Sequence, residues 1–365
     1  MRNIFPDNNT FNFIITSFSV LFYTFAIKNK VSQIKHKIMN RLFILLTLTV
    51  LFFIDVNAEQ KKYVVESDTD GLPLSVMVVT SDNAKVKGIL QIVHGMAEHK
   101  ERYIPFMEFM ANNGYACVIH DHRGHGASIL SSDDLGYFYD GGYEAMIADA
   151  IQIGEWMQQQ YPEVPLYLFG HSMGSMVVRS YTKRYDKNLD GLIVCGSPSY
   201  NIASGVGIRL SAKAARKYGD HYRSEKLHKL SFGSFNKNIK DATSSNSWIC
   251  TDIDIVNQYD DNPLCNFVFT TNGFENLFRL MRDTYDKENW KMENPELPIL
   301  FIAGKDDPCI VNQCKFNKAV RFMEKRGYSN VHSKLYDNMR HEILNEIEKE
   351  KVWNDILATL NYWNK

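Results

Sequence analysis

The chain is expected to fold as an α/β protein, a mostly parallel, doubly wound sheet with an inserted helical lid, and three features of the sequence point there. Short apolar runs bounded by Gly, Asp or Pro recur along residues 59–365. Stretches with helical apolar spacing alternate with them. Between residues 200 and 295 the alternation stops, over a length too great for a plain connection between strands.

The body opens with two β-type runs, residues 62–66 and 74–80, separated by Asp70-Gly71 and read as an antiparallel hairpin. The parallel part follows in residues 88–93, 116–120, 166–169, 192–195 and 299–302, each short and apolar as strands covered on both faces must be. Residues 331–336 are strand-like as well. Residues 143–159 place Tyr143, Met146, Ile147, Ala150, Ile151 and Met157 on one helical stripe. Residues 342–363 do the same with Ile343, Ile347, Val352, Ile356 and Leu360. The core domain is therefore expected over 59–199 and 296–365, with the lid over 200–295. The lid holds Phe232, Phe235, Trp248, Phe267, Phe269, Phe274 and Phe278. These rings either form a small core of its own or present a greasy underside, in which Phe232 and Phe267 are the candidate substrate contacts.

Residues 1–58 differ in composition. Two apolar runs, 11–27 and 42–54, flank a basic stretch carrying Lys28, Lys30, Lys35, Lys37 and Arg41. From Met39 the text reads as a secretory signal ending at Val56-Asn57-Ala58, which makes Met39 a candidate start. The competing reading keeps both runs as a membrane anchor with its basic loop in the cytoplasm. Either way the body is expected outside the cytoplasm, secreted or anchored. A buried helical hairpin fits less well, because the runs lack polar faces.

With 45% hydrophobic and 23% charged residues in 365, the chain is neither disordered nor fibrous. Forty-one basic against 42 acidic residues leave no global positive field, which argues against nucleic acid as a partner. Six cysteines are too few for a disulfide scaffold and lack metal-type spacing, although export would leave a Cys250–Cys265 bridge open.

The chemistry is carried by a few loops. Gly170-His171-Ser172-Met173-Gly174 follows an apolar strand and precedes helical text, a context that throws a serine into an exposed corner at a helix N-terminus. A serine nucleophile needs a histidine base and an orienting carboxylate. Asp307, in Gly304-Lys305-Asp306-Asp307-Pro308, and His341, in Asn338-Met339-Arg340-His341, follow strands at the sheet edge where sites form. Asp306 is the rival carboxylate, and Pro308 favours Asp307 by restraining it. The backbone amides of Met96, in His94-Gly95-Met96-Ala97, and of Met173 are the expected oxyanion donors. His94, His99, His120, His122 and His125 with Asp121 lack ligand spacing for a metal, so His94 and Gly95, with Gly124 and Gly126, are read instead as shaping the cavity mouth, the first two beside substrate. No metal and no cofactor are implied.

These segments, together with Asp121-His122-Arg123-Gly124-His125-Gly126-Ala127-Ser128 and the run Glu98, His99, Arg102, Tyr103, resemble the monoacylglycerol lipase and lysophospholipase branch of the α/β-hydrolases, which also includes S33-type serine aminopeptidases. The resemblance spans nearly all of residues 60–363. It implies an α/β-hydrolase fold, Ser172 as nucleophile, Asp307 as orienting acid, His341 as base and the amides of Met96 and Met173 as oxyanion hole. It further implies a lipid monoester substrate, such as a monoacylglycerol or lysophospholipid. Membrane association through the N-terminus, an addition the resemblance does not cover, or through the lid is expected beside it. Two other readings stand beside it: an aminopeptidase acting on N-terminal proline, whose amine would need acids such as Asp252, Asp254, Asp260 and Asp261, and a non-catalytic module for a hydrophobic ligand.

Overall fold

The computed structural model describes residues 58–81, 85–240 and 242–365. The export-signal or anchor reading of residues 1–58, and Met39, lie outside the described residues but for Ala58. Within them β1 (Glu59–Glu66) and β2 (Pro73–Thr80) form the antiparallel hairpin, with Glu59 opposite Thr80 and Glu66 opposite Pro73. β3 (Gly88–Val93), α1 (Ile104–Asn112), β4 (Tyr115–His120), α2 (Gly142–Gln160), β5 (Leu166–His171), α3 (Met173–Arg184) and β6 (Gly191–Cys195) follow. Then come α4 (Ser204–Tyr218), α5 (Glu225–Phe232), α6 (Ile253–Asp261) and α7 (Thr271–Thr284), before β7 (Ile299–Gly304), α8 (Gln313–Glu324), β8 (Val331–Tyr336) and α9 (Lys349–Trp363).

The eight strands form one sheet in the order β1-β2-β4-β3-β5-β6-β7-β8. β2 runs antiparallel to both neighbours and every later pairing is parallel. Strands β3 to β6 are buried at every position, which is why their sequences are largely apolar rather than alternating, with Gln91, His120 and His171 as the polar exceptions. Their side chains still divide by parity. Leu166 and Leu168 enter the core under α2 and α3, while Tyr167 and Phe169 enter the core that holds Phe106, Trp353 and Ile356. Residues 57–365 form one compact unit with its own sheet and cores, as expected of a chain segment that folds by itself.

Two expectations need correction. The last helix begins at Lys349, not at residue 342, and Ile347 is 71% exposed rather than core-facing. The intervening residues are held as a loop by carboxylates: Glu342 binds Arg102, and Glu346 accepts from the amides of Arg340 and Thr251. Such side-chain bonds to backbone compete with helix formation. All six cysteines are free thiols, so Cys250 and Cys265 form no bridge.

Candidate active site

Ser172 sits where β5 turns into α3, with its backbone at φ 54° and ψ −118°. This is a left-handed conformation that strains any residue with a Cβ. Two glycines allow the corner. A Cβ on Gly170 would lie 2.5 Å from Gly174 O, and one on Gly174 would lie 2.1 Å from Val93 O, so α3 starts pressed against β3. The Ser172 amide donates to Cys195 O at 2.9 Å and ties the corner to β6.

Asp307 and His341 come from the loops after β7 and β8. The Asp307 carboxylate accepts from the Cys309 amide at 2.8 Å through one oxygen. Its other oxygen stands 2.9 Å from His341 Nδ1, with both side chains buried. Asp306 is exposed, whereas Asp307 is 3% exposed, so the second aspartate is the one that reaches the imidazole. The carboxylate thereby fixes the ring with Nδ1 as donor and Nε2 turned the other way. On that side Cys309 Sγ lies 3.8 Å from Nε2, and burial pushes the Cys309 thiol well up, which keeps it protonated.

Ser172, His341, Cys309, Met96 and Met173 all line one cavity of about 1140 Å³. Phe232 and Phe267 line it too, as do Trp248, Leu277 and Phe278. The walls are thus mostly apolar, with Ser172 and His341 on them and further polar side chains such as Asn201, His228, Asn236 and Asn266 along the rest of the lining, as in a site that takes a largely apolar ligand. His94 and Gly95 are not among the lining residues. His94 is fully buried, its Nδ1 2.8 Å from Gly95 O and its Nε2 accepting from the His122 amide. The rings of His94, His122 and His125 pack against one another tilted and edge-on behind the loop, and Gly124 and Gly126 likewise stay off the cavity wall. The expectation that these residues border substrate is therefore replaced: they support the loop from below.

The ionic framework that joins the three loops was less visible in the sequence. Arg102 bonds Glu342 with two nitrogens, both at 2.6 Å, and Glu98 with one at 2.9 Å. Glu98 Oε1 in turn accepts from the Gly95 amide at 2.6 Å and from Tyr103 OH at 3.0 Å, and stands 3.2 Å from His171 Nδ1. His171 Nε2 lies 3.3 Å from His341 O. One buried carboxylate thus touches the Met96 loop and the residue before Ser172, while its arginine reaches the residue after His341. Burial would raise the Glu98 carboxyl, but the His171 hydrogen bond and the Arg102 charge hold it well below the usual carboxylate range. Burial opposes protonation of His171, yet the Glu98 hydrogen bond and charge raise it. The signal available was the i,i+4 spacing of Glu98 and Arg102. Glu342, 240 positions away, had none.

Among the described residues Asp307, Cys309 and His341 are the group of potential metal ligands within 4.8 Å of one another. The Asp307–His341 hydrogen bond already uses Nδ1. No helix among the described residues is long and apolar enough to cross a membrane.

The sequence profile of a family described as serine aminopeptidase, S33, matches residues 84–348. A monoacylglycerol lipase of Mycolicibacterium smegmatis is 25% identical over 275 residues, covering 74% of this chain and 87% of its own. The monoglyceride lipase of Rattus norvegicus is 23% identical over 282 residues, covering 76% and 82%. Among solved structures, a thermostable carboxyl esterase from Bacillus coagulans in complex with glycerol superposes with a TM-score of 0.77 at 26% identity, over 84% of this chain and 99% of that one.

Proposed function

Because the chain belongs to the serine aminopeptidase S33 family of the α/β-hydrolases, and is a serine hydrolase, we propose that it cleaves a lipid monoester, a monoacylglycerol or lysophospholipid, through Ser172, His341 and Asp307. The observation that carries this reading is the buried 2.9 Å contact of Asp307 with His341, opening onto the same apolar cavity as the strained Ser172. Ser172 Oγ attacks the acyl carbonyl as His341 Nε2 takes its proton, and Asp307 stabilises the imidazolium through Nδ1–H. The developing oxyanion is received by the amides of Met96 and Met173, each such donor contributing about 3 kcal/mol to the transition state. Collapse of the tetrahedral intermediate passes the proton from His341 to the leaving alcohol. Water, activated by the same imidazole, then attacks the acyl-enzyme and releases the fatty acid.

An apolar cavity of this size, near the upper end for small-molecule sites, suits a single acyl chain. Peptide cleavage is less well supported. None of Asp252, Asp254, Asp260 and Asp261 lines the cavity, and Asp252 caps α6 by accepting from the Asp254 amide. Ser172 and His341 with its buried partner are also more than a binding module needs. Purified protein is expected to release fatty acid from a monoacylglycerol or lysophosphatidylcholine and to leave a prolyl anilide untouched. Full turnover by Ser172→Ala would overturn the reading. We also propose residues 1–58 as an export segment, which N-terminal sequencing of the mature protein tests.

A further inference from the structure

The turn between α5 and α6 reaches back to the loop that carries His341 and is bonded to the residues on either side of it. Ile249 O accepts from the Glu342 amide at 2.7 Å. Arg340 Nη1 donates to Ser247 O at 2.8 Å and to Cys250 O at 3.0 Å. Glu346 closes the connection, its carboxylate accepting from the Arg340 amide at 2.7 Å and from the Thr251 amide at 3.1 Å. Bonds from both neighbours of His341 fix the register of turn against loop.

The turn is also braced from within. Ser247 Oγ accepts from the amides of Thr243 and Ser244, both at 3.0 Å, and Asn246 Nδ2 donates to side-chain oxygens of Asp260 and Asn266. Ile249 and Cys250 are buried in a small core with Val256, Tyr259 and Cys265, and Trp248 packs on it. Trp248 is half-buried and lines the cavity beside His341. Its ring centroid lies 5.0 Å from that of the imidazole at an angle of 43°, and Phe235 packs edge-on against the indole at 4.8 Å.

The other groups facing the imidazole are Asp307 at Nδ1, Cys309 Sγ at 3.8 Å from Nε2 and the His171 ring at 4.6 Å. One hydrogen bond at Nδ1 sets the tautomer but lets the ring swing about that bond, and a large ring packed against it in a braced turn removes the swing. We infer that Trp248 is a positioning residue for His341, holding the imidazole in the plane from which Nε2 takes the serine proton. Preorganisation of this kind acts on the rate of the reaction more than on binding. The effect on turnover rests on the proposed role of His341 as base, whereas the restraint on its ring does not.

Trp248→Leu and Trp248→Phe test both parts. The proton on His341 Nδ1 should give a sharp downfield resonance in the unaltered protein, which Trp248→Phe keeps and Trp248→Leu broadens or loses as the released ring lets the bond open to water. Measured well below each protein's melting transition, Trp248→Leu should lower kcat about tenfold or more while KM stays within about twofold. The loss should be alike on nitrophenyl acetate and on a long-chain nitrophenyl ester, and Trp248→Phe should recover most of it. A loss confined to the long-chain ester, or a rise in KM alone, would make Trp248 a wall for the acyl chain and overturn the inference. So would a resonance unchanged in Trp248→Leu, or a Phe variant no better than the Leu variant. Turnover by the unaltered protein that survives Ser172→Ala would instead count against the reaction scheme, with the resonance still deciding the restraint.

Discussion

Replacing Arg102 by Met removes the one guanidinium that serves two buried carboxylates, Glu98 and Glu342, whose side chains are 4% and 5% exposed. Shape and apolar stem are largely kept, so the loss is electrostatic. Breaking a buried pair from one side costs about 3–5 kcal/mol, because the remaining charge stays desolvated. For a body of this size that lowers the melting temperature by about 6–15 °C. The effect has a sign in pH. Glu98 is held below its ordinary value in the fold, so its stabilisation is present above about pH 4.3 and is lost as pH falls through the folded pKa. Without Arg102 the carboxyl rises, so the gap between parent and variant should be widest at neutral pH and narrow toward pH 4. Adding Glu98→Gln to Arg102→Met should recover part of the loss by removing one unpaired charge. Activity should fall through kcat more than KM, since Glu98 holds the Gly95 amide and His171, not substrate. Scanning calorimetry across pH and steady-state kinetics well below the transition supply both readings. An Arg102→Met protein that melts within a degree of the parent at pH 7, or whose deficit grows toward acid, would refute the reasoning.

Three further outcomes are expected. Burial depresses His120 to about 3 and His125 to about 4, and pushes His94 and His122 well below 6.5, so these rings stay neutral in the fold while the unfolded chain takes up protons. Stability should therefore fall as pH drops below 6.5, by up to about 5 kcal/mol per unit for four such groups, with urea midpoints collapsing near pH 5; a flat profile from pH 6.5 to 4.5 would show that the rings protonate without penalty. Asp307→Asn should keep the fold but reduce kcat by roughly four orders of magnitude at neutral pH, as the imidazole loses its tautomer and its counter-charge; a loss under tenfold would remove Asp307 from the mechanism. Gly174→Ala forces a Cβ to 2.1 Å from Val93 O, backbone against backbone, and should cost about 1–3 kcal/mol or more by chemical denaturation, with a loss of turnover that cooling does not restore.

Much of the sheet was legible because its central strands are buried on both faces and so stand out as apolar runs: residues 88–93 coincide with β3, and the runs read for β2 and β4 to β7 differ by one to two residues at an end. Of the two exposed edge strands, β8 coincides with residues 331–336, whereas β1 begins three residues before the run read for it. The stretch before α9 was not, because Ile343 and Ile347 keep helical spacing while Glu342 and Glu346 bind elsewhere, and no periodicity reports where a carboxylate goes. Asp307 and His341 could be anticipated as neighbours from their shared place at strand ends. His94 was set at the cavity mouth because position along the sheet edge does not tell which side of a loop a ring takes; it turns under the loop. Glu98, Arg102 and Glu342 escaped notice as a unit because their meeting depends on the register of β3 against the loop after β8.

Reaction with a fluorophosphonate probe, followed by peptide mapping, bears most directly on the chemistry assigned to the cavity. The adduct should form on Ser172 alone, vanish in Ser172→Ala and form far more slowly in His341→Gln. Adduct formation at another residue, or labelling undiminished in Ser172→Ala, would contradict it.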